Sequence, residues 1–197
     1  MKHSVCIFCS SSGTLDQKYY EHSRELGELL GKNNFDIVYG GSRVGMMYEV
    51  AKASKLNGSK ILGVMPEKLH SFGVSSNECN EFHLTKDMRS RKLKMDELSD
   101  SIIALAGGFG TLEEVSEMIV QKQLGYNNKP IVFLNTNGFY NDLFKFFDNI
   151  VEGSFAKNTA KDLYYIAKTP QDAIKYLLNY KYGDIEISKE DIYTKVN

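Results

Sequence analysis

Short apolar runs and stretches of helical period take turns along almost the whole chain, and this limits the possible folds more than any other feature. "VCIF" (5–8) precedes a helical stretch from Asp16 to about Lys32, and "FDIVYG" (35–40) precedes one from about Gly45 to Asn57. "SKILGVMP" (59–66) leads into a polar loop (69–80), then "EFHLT" (81–85) and a basic helix from about Lys86 to Ser99. "SIIALA" (101–106) is followed by a helix from Thr111, and "PIVFLN" (130–135) by a helix over 138–151. "LYYIA" (163–167) comes before a last helix, with Thr169 as N-cap and Pro170 at its first position. Strands that are apolar throughout are buried on both faces. The pattern therefore predicts an α/β fold: a doubly wound, Rossmann-like parallel sheet with helices on both faces.

The 197 residues read as one domain, 1–197, in which about 183–197 form a C-terminal tail. A hydrophobic share of 42% and a charged share of 25% suit a packed globular chain rather than a disordered one. A net charge of −1 argues against nucleic-acid binding, so any anionic ligand needs locally gathered cations. No run approaches the roughly 20 apolar residues of a membrane span, and the first residues do not resemble a signal peptide. Three cysteines, Cys6, Cys9 and Cys79, fit a reducing compartment, so the expected location is cytoplasmic. Cys6 and Cys9 are spaced C-x-x-C, but three residues apart on a strand they point to opposite faces. No second cysteine pair and no H-E-x-x-H accompany them, and no metal is expected.

In a doubly wound sheet, ligands sit beyond the carboxyl ends of the strands. Two glycine turns fall there: "YGGS" (39–42) and "AGGFGTLEE" (106–114). The second is no dinucleotide fingerprint, because Glu113 occupies the third glycine position, and the chain has no P-loop. It remains a glycine turn feeding a helix N-terminus, where free N–H groups and the helix dipole favour an anion such as phosphate. The same residues also read as a capping box, with Thr111 at N-cap and Glu114 at N3. On a helical wheel Leu112, Val115 and Ile119 form the buried arc. Glu113, Glu114 and Glu117 lie opposite, together with Val120 and Leu124, an arc that a second subunit could cover. The dense basic cluster "KDMRSRKLK" (86–94) offers Lys86, Arg89, Arg91, Lys92 and Lys94, either as a solvated helix face or as partners for phosphate and carboxylates.

"AGGFGTLEE" resembles the P-G-G-x-G-T-x-x-E signature of the Lonely Guy (LOG) family, and "MRSRK" (88–92) its M-H-x-R-K. "FCSSSG" (8–13), "YGGSRVGMM" (39–47) and "QLG" (123–125) follow the same order, so the likeness covers about residues 3–180. The resemblance implies a cytokinin riboside 5′-monophosphate phosphoribohydrolase. Such an enzyme hydrolyses the N-glycosidic bond of a purine or cytokinin nucleoside 5′-monophosphate, AMP among them, to free base and ribose 5-phosphate. It implies Arg91 and Glu114 as catalytic residues, with Glu114 stabilising the cation at the anomeric carbon or activating water. It implies Lys92, Gly107, Gly108, Phe109, Gly110, Thr111, Glu113, Ser11 and Gly41 as substrate-binding residues. No cofactor is implied, and the assembly implied is a homodimer or larger.

The chain departs from the family pattern at Ala106 (for proline), Arg89 (for histidine), Ser42 and Tyr48 (for glycines) and Val120 (for threonine). Members of the family were long labelled lysine decarboxylases. A pyridoxal-phosphate decarboxylase needs a Schiff-base lysine, and no sequence context here marks one. The alternative reading is a non-catalytic nucleotide binder or molybdenum-cofactor carrier, for which Glu114 would have no use.

Overall fold

A computed structural model describes residues 3–183. The expected tail, about 183–197, lies outside the described residues apart from Gly183. Seven parallel strands form one sheet: β1 (Ser4–Phe8), β2 (Asp36–Tyr39), β3 (Ile61–Pro66), β4 (Glu81–Thr85), β5 (Ser101–Ala104), β6 (Ile131–Leu134) and β7 (Tyr165–Ala167). Their order across the sheet is β4-β3-β2-β1-β5-β6-β7. The chain starts at the centre, winds outward to β4, returns beside β1 at β5 and winds outward again. The direction of winding reverses between β1 and β5, where a doubly wound sheet opens a crevice at its carboxyl edge.

The helices are α1 (Gln17–Lys32), α2 (Gly45–Leu56), α3 (Glu67–His70), α4 (Met88–Glu97), α5 (Phe109–Gln123), α6 (Asn141–Glu152) and α7 (Pro170–Asn179). Short 3-10 turns lie at Thr136–Gly138 and Asn158–Leu163. Three starts are set by side chains that accept a first-turn N–H: Asp16 from Lys18, Asp87 from Ser90 and Thr169 from Asp172.

Two cores result, one on each face of the sheet. Leu26 and Leu30 of α1, Val50 of α2 and Ile174 of α7 pack with Val5, Ile7 and Ile37. Met95 of α4 and Val115 and Met118 of α5 pack with Phe8, Ile102 and Phe133. Alternation along β1 sends Cys6 to the second core and Cys9 to the first, so the C-x-x-C thiols are free and cannot pair. Between α1 and α2 the backbones nearly touch: a Cβ on Gly27 would lie 2.4 Å from the Val50 carbonyl oxygen. Gly27→Ala would therefore force the two helices apart.

Candidate active site

The carboxyl ends of β1, β2 and β5 carry the loops that meet above the sheet. After β5, Leu105 N–H donates to the Phe8 carbonyl and Ser10 N–H to the Ala106 carbonyl, at 2.9 and 3.1 Å. These bonds extend the β1–β5 seam as far as the glycine turn. Helix α5 begins at Phe109 with Gly108 as its N-cap, and no side chain caps it. This corrects the capping box: Thr111 stands inside the first turn rather than at the N-cap. Its buried side chain folds under Gly107, where any Cβ would fall 2.1 Å from Thr111 Oγ1. Gly107 is thus required by the protein's own packing.

Gly108 and Gly110 are different. Neither has a protein atom within 4 Å of where a Cβ would stand, and Gly108 has an ordinary φ of −86°. Nothing inside the protein demands glycine at either place, and Gly110 costs helix stability, about 1 kcal/mol relative to alanine. Two open glycines at an uncapped helix start leave room for a ligand to approach the backbone.

The buried stripe of α5 is also not the expected one. It runs through Thr111, Glu114, Val115, Met118 and Lys122, while Leu112 and Ile119 are only partly buried. Glu114, expected on the outer arc, is 4% exposed. The physical reason is a partner that local periodicity does not register: Arg91, itself buried on α4, donates from Nη1 to Glu114 Oε1. Arg91 Nε donates to the Val64 carbonyl within β3, at 3.1 Å. Its Nη2 faces Gly40, where a Cβ would come within 2.6 Å. Gly40, the first glycine of "YGGS", is thus a site residue that the sequence reading missed. Burial pushes the Glu114 carboxyl above its ordinary pKa range, and the Arg91 charge opposes that shift.

Next to this pair, Lys92 contacts Glu113 and lies 2.5 Å from Glu117. Burial works against the lysine's charge, but the two carboxylates outweigh it and raise its pKa. The basic run on α4 is therefore not a free cationic face. Two cations, Arg91 and Lys92, meet three carboxylates, Glu113, Glu114 and Glu117. Beside the glycine turn, a pocket of about 270 Å³ is lined by Ser10, Leu15, Tyr19, Gly107, Gly108 and Phe139. Tyr19 and Phe139 meet edge to face, 6.1 Å between ring centres. Neither was legible as a site residue, because each comes from a separate element with no motif around it.

A family model described as "possible lysine decarboxylase" matches residues 47–177. The probable cytokinin riboside 5′-monophosphate phosphoribohydrolase LOGL2 of Oryza sativa subsp. japonica is 40% identical over 176 residues, covering 89% of this chain and 72% of that protein. The chain belongs to the LOG family. LOG3 of Arabidopsis thaliana, named a cytokinin riboside 5′-monophosphate phosphoribohydrolase, is 38% identical over 89% of this chain and 82% of its own. Among solved structures, the molybdenum cofactor binding protein of Rippkaea orientalis aligns with a TM-score of 0.71 and 21% identity, covering 90% of this chain and 96% of that one. The Moco carrier protein of Chlamydomonas reinhardtii gives 0.69 and 23%, over 90% and 98%. At that identity these structures share the fold with this LOG-family chain, which is what the alternating sequence pattern predicts.

Two departures from the LOG pattern acquire a local reason. The Ser42 hydroxyl accepts from Val44 N–H at 3.3 Å while its backbone forms a β-bridge with Ser75, and Tyr48 Oη donates to Glu78 Oε1 at 2.8 Å. Both hold the 74–78 segment against the turn after β2. Gly41 is enclosed by that segment: its carbonyl accepts from Ser76 N–H at 2.8 Å, and its φ of +70° sets it against the Phe82 ring. Ser11 is exposed, with its carbonyl packed against Gly45. Phe109 is 93% exposed at the first turn of α5. Arg89 and Val120 are exposed, whereas Ala106 is buried. Among the described residues, no group of three His, Cys, Asp or Glu side chains could hold a metal ion.

Proposed function

We propose that this LOG-family chain hydrolyses the N-glycosidic bond of a purine or cytokinin nucleoside 5′-monophosphate, giving free base and ribose 5-phosphate. The observation that carries the proposal is the buried Arg91–Glu114 pair beside an uncapped α5 start whose glycines at 108 and 110 are open. The 5′-phosphate sits at the N–H groups of Gly108, Phe109, Gly110 and Thr111. Those dipoles are needed because Lys92 is already engaged by Glu113 and Glu117. As the C1′–N bond breaks, positive charge develops at C1′, and Glu114 stabilises it or takes a proton from the attacking water. The water oxygen bonds to C1′, and the base leaves with the electron pair and a proton. Arg91 keeps the Glu114 carboxylate in place, and its Nη2, on the Gly40 side, is the donor left for the substrate. We assign Glu113, more than half exposed, to the ribose hydroxyls, with Lys92 and Ser11 as further substrate contacts. Gly41, buried under the 74–78 segment, shapes the turn after β2 rather than touching the substrate. Relatives named as phosphoribohydrolases support this reading.

A carrier would have no use for a carboxylate buried against Arg91 in the helix that the glycine turn opens. A Schiff-base decarboxylase is also disfavoured, because Lys92 is ion-paired and Lys122 lies at the far end of α5. We place the chain in the cytoplasm, on its free cysteines; no helix among the described residues is long and apolar enough to cross a membrane. We also infer a homodimer through α5 and α6. Val120 and Leu124 are exposed, and amphipathic α6 has no fully buried residue. A groove between these helices is lined by Ile119, Val120, Phe147, Ile150, Val151 and Tyr164.

The decisive assay incubates the protein with AMP and isopentenyladenosine monophosphate, and with the matching nucleosides, and follows free base by chromatography. Monophosphates are cleaved and nucleosides are not, because the α5 start contributes binding only when phosphate is present. Equal turnover of adenosine and AMP would overturn the assignment.

A further inference from the structure

The far end of α5 holds a buried charge that the proposed reaction does not use. Lys122 is fully enclosed, and among the described residues no carboxylate pairs with it. Its Nζ donates to the Lys129 carbonyl and to the Tyr180 hydroxyl, each at 3.0 Å. It also lies 5.1 Å from the centre of the Tyr180 ring. Burial lowers its pKa to about 8. A methionine would fill the same space without desolvating a charge, so packing alone does not account for a lysine here.

The contacts of Lys122 form part of a larger frame. Tyr180, the residue that ends α7, bonds through its hydroxyl to the Asn128 carbonyl and Oδ1, both at 3.1 Å. Lys129 in turn donates to the Asp96 carbonyl at 2.6 Å and its carboxylate at 2.5 Å, in the last turn of α4. The last turns of α4 and α5 are therefore tied together through Lys129. Their other ends are tied by Arg91 to Glu114 and by Lys92 to Glu113 and Glu117. Glu114, Met118 and Lys122 follow one another on a single buried stripe of α5. Eight residues of helix put the two buried charges about 12 Å apart along the axis. Apolar contacts such as those of Val115 and Met118 hold the helices together but, being non-directional, do not by themselves single out one lengthwise register. Directional hydrogen bonds at the two ends fix the helix lengthwise.

We propose that Lys122 is a positioning residue: it fixes α5 lengthwise against α4, so that Glu114 and the glycine turn stay in place opposite Arg91. The catalytic consequence rests on the hydrolytic reading above; the mechanical one does not. Displacements of about 1 Å at a reacting group cost up to about 10²-fold in rate.

The test uses Lys122→Met and Tyr180→Phe in the full chain. In Lys122→Met, kcat on AMP falls by about tenfold or more and KM rises with it, because the glycine turn that holds the phosphate shifts together with Glu114. Amide exchange quickens in residues 88–92 and 109–114, at the opposite ends of α4 and α5, while α1 and α2 keep their protection. Tyr180→Phe keeps the ring, removes one partner of Lys122 and gives the same pattern at smaller amplitude. Faster exchange confined to residues 122–129 and 176–180, with kcat unchanged, would overturn the proposal. If wild-type protein cleaves no monophosphate, the proposed function falls and the exchange pattern alone decides the anchor. If Lys122→Met does not fold, exchange in Tyr180→Phe decides it.

Discussion

At position 114 a carboxylate lies buried against the Arg91 guanidinium, so changing it has two separable effects. Glu114→Gln keeps the shape and a hydrogen-bond acceptor but leaves Arg91 as an unmatched buried charge. Breaking such a pair from one side costs about 3 kcal/mol or more, well beyond the loss of a helix cap. Turnover on AMP falls by on the order of 10²–10⁴, the usual contribution of a placed acid or base. Glu113→Gln is the internal control: its side chain is 58% exposed, and losing its contact with Lys92 costs under about 1 kcal/mol. Melting curves and single-turnover rates on both variants check this. Full activity in Glu114→Gln with loss in Glu113→Gln would move the catalytic role by one residue.

Helix α5 combines an open, uncapped start with a closed, polar far end, and pH acts on the two ends differently. Lys122 titrates at about 8 in the folded chain, against an ordinary value of 10.5. Between those values the unfolded chain holds the proton more tightly than the folded one, so stability rises with pH through that window. Below about 8 the full desolvation cost is present. The expected outcome is that any excess in the melting temperature of Lys122→Met over wild type is largest near pH 7 and shrinks toward pH 10. A temperature gap that does not change with pH would mean the lysine is not charged inside the fold.

For the molecule as a whole, the two faces of the sheet are covered, but the outer side of α5 and α6 is not. Val120, Leu124, Phe146 and Phe155 are all exposed there, although α6 is plainly amphipathic. If a second copy covers this face, Val120→Asp puts an uncompensated charge into the interface and weakens association. Light scattering then gives a dimer mass for wild type and a monomer mass for the variant at the same concentration. Wild-type protein that stays monomeric at high concentration would refute the shared face. Because α5 also carries Glu113, Glu114 and Glu117, association would stiffen the site-bearing helix from its outer side.

The sequence by itself determined the seven strands, the six longer helices and their order, but not the one-turn α3, part of which it read as the polar loop 69–80, or the two 3-10 turns. A strand-like run of four to eight residues followed by a helical period is a local signal, and the seven strands fall within two residues of where those runs lie. It also placed two glycine turns at strand ends and, through the signature residues 88–92 and 106–114, the family. Tertiary structure alone decided which charges go inside. Glu114 reads as a surface residue because its partner Arg91 is 23 positions away, and Lys122 because Tyr180 is 58 away. A helical wheel sorts residues by polarity; a carboxylate or an ammonium becomes an interior residue only when folding brings up a partner to replace water. For the same reason Thr111 left the N-cap: α5 starts at Phe109, and the hydroxyl packs under Gly107. The period of the chain fixes where a helix runs, and the long-range partners fix which of its faces turns inward.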